Sequence, residues 1–407
     1  MIIKQKKYLK KIIENYIENK LKIIDFHTHI FPSAFNDYYL DGIENILNYH
    51  YLHAEYLKLN KLSPKEFFSL SSHRRAKKIW NELFLKRIPF SEATKGVITI
   101  LNSFNISSDL KYKDICIEFS KVKSKEYLKK VYKLSNVSKV VMTNDIFDVD
   151  EIKFYDSIDK ENFYTSIRLD SYFTLESKKI EFNNIVYDLK KDISKYLLDL
   201  TNKLKPLYFA ISVDEKFSIK DKRYIFLEKY IFSIAKQYNI PISLMIGVKR
   251  GVNKEYKLAG DAVVKYDISN LEEILLENKD VRFCVTMLSR ENQYELTVLS
   301  RKFQNLMLFG NWWFLNSDIF INEITRMRMN LLGTSFVPQH SDARVLEHLI
   351  YKWKHTNKIF IDILFDYFKS LMDNNYNLTE ELIETTIYDF YNAEIINIIK
   401  DNKCITY

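Results

Sequence analysis

Apolar residues recur every three or four positions over residues 4–20, where Tyr8, Ile12, Ile13, Tyr16 and Ile17 share a face opposite lysines, predicting an amphipathic helix. A short apolar run from Lys22 to Phe26 follows and stops at His27-Thr28-His29. From Phe31 to about Asn136 the period is mainly helical again, with Ser91 and Thr94 placed as caps of SEATKGVITILNSF. Beyond it, short β-like runs alternate with amphipathic stretches: SKVVMT (138–143), FYTSIRL (163–169), YFAISV (208–213), ISLMIG (242–247), RFCVTM (282–287), LMLFGNWW (306–313) and SFVPQHS (335–341). With the first run there are eight. Near-continuous apolar strands separated by helices imply βαβ units with a sheet buried on both faces. Eight such units predict an α/β fold, a closed (β/α)8 TIM barrel. It is expected to form one domain over residues 1–407, with 31–136 inserted after the first strand.

Composition supports a large core and removes several alternatives. Hydrophobic residues make up 47% of the 407, including 28 Phe and 28 Tyr. Seven Gly and six Pro are too few for an all-β sandwich or a linker-rich chain. The net charge of +8 comes from lysines spread along the chain, with no nucleic-acid-binding signature beside them, and favours a small acidic substrate. Cys116, Cys284 and Cys404 are isolated, so neither a zinc ribbon nor a disulfide framework is expected. The start MIIKQKKYLKK has no uninterrupted apolar stretch, and no run approaches a membrane span. A cytoplasmic protein follows as the expectation.

The predicted strands finish in polar groups: His27 and His29, Thr143 to Asp145, Arg168 and Asp170, Asp214, Lys249 and Arg250, Thr286 and Arg290, Asn311 and Trp313, then His340, Asp342 and Arg344. Barrel active sites are built at that end of the strands. Residues two apart on a strand point the same way, so His27 and His29 project together into the mouth. Asp342 completes a ligand set, because the eighth strand of a closed barrel neighbours the first. Two imidazoles and a carboxylate suit zinc, manganese or ferrous iron. No histidine lies between His73 and His340, so the intervening strands contribute none. Two-metal hydrolases on such barrels draw imidazoles from the fifth and sixth strands, so one metal at most is expected here.

Arg168, Arg250 and Arg344 each end a predicted strand, and guanidinium forks bind carboxylates in bidentate fashion. Trp312 and Trp313 offer an aromatic plane to wall a sugar. Tyr51 is one of many tyrosines, and its phenol is suited to proton donation.

HTH, the His50-Tyr51 pair, RLD at 168–170, IGVKR at 246–250, GNWWF at 310–314 and HSDAR at 340–344 occur in the order that resembles the uronate isomerases, barrels of the amidohydrolase superfamily. The resemblance implies a metal-dependent-hydrolase-type barrel that interconverts D-glucuronate with D-fructuronate or D-galacturonate with D-tagaturonate. It implies one divalent metal, zinc before manganese or iron, at His27, His29 and Asp342. It also implies catalytic Asp342, Arg344 and Tyr51, and substrate contacts from His50, Arg168, Arg250, Trp312 and Trp313. A small sugar acid is the expected partner, with no nucleic acid or membrane, and the chain is expected to form a homo-oligomer. The sequence departs from the family at Met245, where the family's fifth strand has histidine. That leaves two alternatives: a mononuclear hydrolase or decarboxylase on the same barrel, and a degenerate barrel that binds without catalysis.

Overall fold

A computed structural model describes residues 6–405. The amphipathic N-terminal segment forms a helix, Lys6–Asn15, that widens into a π-type turn over Tyr16–Lys20. The expected start at residues 4 and 5 lies outside the described residues.

Seven parallel strands form one curled sheet in sequential order. They are β1 (Ile23–Thr28), β2 (Val137–Asp145), β3 (Phe163–Arg168), β4 (Phe209–Val213), β5 (Ile242–Ile246), β6 (Phe283–Met287) and β7 (Leu306–Leu308). The eighth expected strand is present only as an isolated parallel bridge, Phe309 to Val337. Residues 336–343 nevertheless fill the eighth position. Val337 N–H bonds to Leu308 on β7, while Asp342 N–H bonds to the carbonyl of His27 (3.1 Å) and His29 N–H to that of Ala343 (2.8 Å). The sheet therefore closes on itself. Pro338 supplies no N–H, which prevents a regular ladder here. Side chains take over: Gln339 Oε1 accepts from the N–H of Asn311 at 2.7 Å and of His340 at 3.1 Å. The same irregularity ends β7 at Leu308, well short of the expected 313.

The barrel interior is packed by Phe26, Val141, Tyr208, Met245, Cys284, Phe309 and Trp312. A larger core joins the outer helices to the barrel wall. The C-terminal helix Glu380–Asp401 crosses below the sheet, where Asn392 accepts from Ile24 N–H and donates to the Lys22 carbonyl. Helices make up most of residues 33–135, and Ser91 caps Glu92–Ser103 by accepting from Thr94 N–H. Glu92 fixes this segment to the barrel through Asn316 Nδ2 (2.7 Å) and the buried Lys352 (3.4 Å). Among the described residues no helix is long and apolar enough to cross a membrane.

Candidate active site

A cavity of about 590 Å³ opens at the C-terminal strand ends. Alternation along β1 turns His27 and His29 the same way, and the irregular eighth segment brings Asp342 between them. The ligating atoms of the three lie within 4.8 Å of one another. His29 Nε2 is 3.3 Å and His27 Nε2 3.9 Å from Asp342 Oδ1. Asp342 reaches this position with φ of 48°, a left-handed conformation that an L side chain rarely adopts.

Burial lowers His27 to about 4, and burial reinforced by the charge of Arg344 lowers His29 to about 3. Both imidazoles are neutral near pH 7. Burial acts to raise Asp342, but the adjoining His29 imidazole and the Arg344 guanidinium outweigh it and hold the carboxyl well below its usual range. Neutral imidazoles beside an ionised carboxylate are the donor set a divalent metal requires.

The three arginines differ. Arg168 is half-buried and donates through Nε to Asp170 at 3.1 Å. Arg250 is half exposed and donates to Asp261 at 2.5 Å. Arg344 lines the cavity with a buried Nε that has no partner among the described residues. Its guanidinium is the one that protein carboxylates have not claimed. Arg250 and Asp261 sit on the loop after β5, steadied by a two-residue ribbon pairing Val248–Lys249 with Ala262–Val263.

Trp312 and Trp313 both line the cavity. Trp313 has φ of 48° and a buried Nε1–H without partner, so its ring offers both a plane and a donor. His50, at the head of helix His50–Lys58, packs edge-on against Trp313 and is lowered to about 3 by burial. Met245 lies in the cavity floor near Ser212, where its thioether offers no proton.

Tyr51 departs from expectation. It lies parallel to Trp313 at 6.4 Å between ring centroids and fronts an adjoining cavity of about 720 Å³ with Glu55 and Phe314. His50 and Trp313 line both cavities, whereas Tyr51 lines only the second. Other strand-end groups are structural. Asp214 pairs with Arg223, Arg290 with Glu323, and Asn311 joins the barrel closure.

Sequence reasoning placed Asp170 and Thr143 at strand ends without a role and passed over Asp261 and Ser212, all four in the cavity lining. It gave no role to His340, which is buried with neither ring nitrogen partnered. A Cβ on Gly310 would overlap the His340 imidazole, so the glycine of GNWW makes room for that ring. The spacing of RLD and the run KRGVNKEYKLAGD placed Asp170 and Asp261 near arginines. Nothing local pointed to the other lining residues.

No family model matches the chain, and no curated protein matches it in sequence. The crystal structure of a uronate isomerase from Bacillus halodurans C-125 matches with a TM-score of 0.91 and 37% identity, over 99% of this chain and 98% of that one. A uronate isomerase from Thermotoga maritima matches at a TM-score of 0.72 and 12% identity, over 98% and 100% of the two chains. Glucuronate isomerase from Caulobacter crescentus matches at 0.75 and 12%, over 96% and 94%. At 12% identity the likeness is one of fold.

Proposed function

The chain belongs to the uronate isomerase family, and on that premise we propose that it interconverts D-glucuronate with D-fructuronate or D-galacturonate with D-tagaturonate. It is an aldose–ketose isomerase of sugar acids. The observation that carries the assignment of its site is the convergence of His27, His29 and Asp342 on one point beside the unpaired Arg344.

His27, His29 and Asp342 would hold one divalent metal, for which we propose zinc, with manganese or ferrous iron as substitutes. When bound, it would polarise a substrate oxygen. Asp342 takes the proton from the carbon next to the carbonyl and returns it to the former carbonyl carbon through a cis-enediol, while the hydroxyl proton passes from the one oxygen to the other. A carboxylate held as low as Asp342 is a weak base, so proton removal depends on stabilising the enediolate oxygen. Arg344 supplies that charge in a partly dry cavity, where it acts more strongly than in water. Arg168 and Arg250 take the distal carboxylate, each sharing itself between substrate and its own aspartate. Trp312, Trp313 and His50 wall the sugar, and Tyr51 supports that wall from behind.

The chain is further read as one barrel domain over 1–407, with 31–136 as its helical insertion, assembling as a homo-oligomer. The decisive experiment incubates metal-analysed protein with a panel of aldouronates and follows ketouronate formation. Silence from the zinc-loaded protein across that panel would sink the substrate assignment.

A further inference from the structure

Tyr208 stands just before β4, and its ring lies wholly inside the barrel against Phe26, with centroids 4.9 Å apart. Its hydroxyl reaches two groups on β1. One is the carbonyl oxygen of Phe26 at 2.9 Å, and the other is Nδ1 of His27, also at 2.9 Å. A carbonyl oxygen can only accept, so the phenol proton belongs on Phe26. The phenol oxygen then has only lone pairs to offer His27, and Nδ1 must carry the imidazole proton. The opposite arrangement, with the phenol donating to Nδ1, would withhold the phenol proton from the Phe26 carbonyl. Ser166, also beside the phenol, gives its own proton to the Met142 carbonyl at 3.1 Å. With Nδ1 protonated, the free lone pair of His27 is on Nε2, the nitrogen that faces Asp342 at 3.9 Å.

We propose that Tyr208 is the positioning residue of the metal site: it fixes His27 as the Nδ1–H tautomer and aims its Nε2 lone pair at the point shared with His29 and Asp342. This rests on the reading that those three residues hold a metal. Partners of this kind fix ring orientation and ligand basicity, and losing one typically weakens metal affinity about 10- to 100-fold. Among the described residues His27 Nδ1 meets no other donor or acceptor. The hydroxyl comes from the far end of a different strand, 181 residues away in sequence.

Tyr208→Phe removes the hydroxyl and little else. Zinc affinity, read by competition with a chromophoric chelator, is expected to fall about 10- to 100-fold. At saturating zinc, kcat should return to within a few-fold of wild type with KM unchanged. The rise in melting temperature that zinc confers should shrink. A merely structural role would lower the metal-free and zinc-loaded melting temperatures together and leave the affinity where it was, which would overturn the proposal. Long-range ¹⁵N–¹H spectra of the metal-free wild type read the tautomer without any variant. A protonated Nδ1 on His27 supports the assignment, and a protonated Nε2 defeats it. His29→Ala separates the two readings: if it binds zinc as well as wild type, the metal site itself is wrong, while the tautomer spectrum still decides the hold of Tyr208 on His27.

Discussion

Asp342 concentrates the demands of the site in one residue. It contacts His29, lies near His27 and Arg344, and sits on left-handed backbone. Asp342→Asn keeps the shape but removes a charge that both metal binding and proton transfer require. Turnover of a proven aldouronate is expected to drop by about 10²- to 10⁴-fold, the usual contribution of a positioned base. Steady-state rates at saturating zinc check it, and an unchanged kcat would reassign the base. The convergence of His27, His29 and Asp342 was legible in the sequence, because strand alternation and closure are local or topological rules. Tyr51 was not. Its direction depends on the helix phase that starts at His50, and a resemblance at the level of His50-Tyr51 carries no phase.

At the scale of elements, the least regular strand is the one that carries chemistry. The segment 336–343 is held to β1 partly by Asp25, whose buried carboxylate accepts from Ser341 N–H at 3.0 Å and from Trp353 Nε1–H at 2.8 Å. Asp25→Asn turns an amide donor toward one of these donors. A loss of about 1–3 kcal/mol in urea-unfolding free energy is expected, the range for an unsatisfied buried group. Zinc affinity should fall with it, since Asp342 follows Ser341 directly. A variant as stable as wild type would show that Asp25 is no latch. The loop after β5 gives a second prediction. Arg250 is half exposed and already paired with Asp261, so Arg250→Ala is expected to raise KM several-fold with little change in kcat. An equal fall in kcat and kcat/KM would instead place Arg250 in the transition state. Seven strands could be read from their apolar runs to within a few residues. The eighth could not be read as irregular, because Gln339 and Pro338 act through partners on β7 and its loop.

For the whole molecule, buried carboxylates make stability depend on pH. Glu151 is buried beyond the end of β2 and accepts from Asn144 Nδ2 and Asp145 N–H, beside Asp145 and Asp148. Burial raises it from 4.5 to about 8, against those hydrogen bonds. A raised carboxyl favours the folded state in its protonated form. The stability it contributes is complete below about pH 4.5 and is lost as pH rises toward about 8. Glu151→Gln should therefore gain stability relative to wild type across that window, by at most about 1.4 kcal/mol per pH unit. Chemical denaturation at pH 5, 6, 7 and 8 tests this, and a constant difference would mean that Glu151 does not titrate there. The sequence by itself determined the α/β barrel, the helical segment between the first two strands and the pairing of His27 with His29. Each of these follows from periods of 2 and 3.6 and from the rule that strands end in the active site. The tertiary structure decided which arginine is left unpaired, that Tyr51 lies parallel to Trp313, and that a tyrosine from the start of β4 reaches Nδ1 of His27. Those facts rest on contacts between residues far apart in the chain, and direction across a packed interior is information that no local period contains.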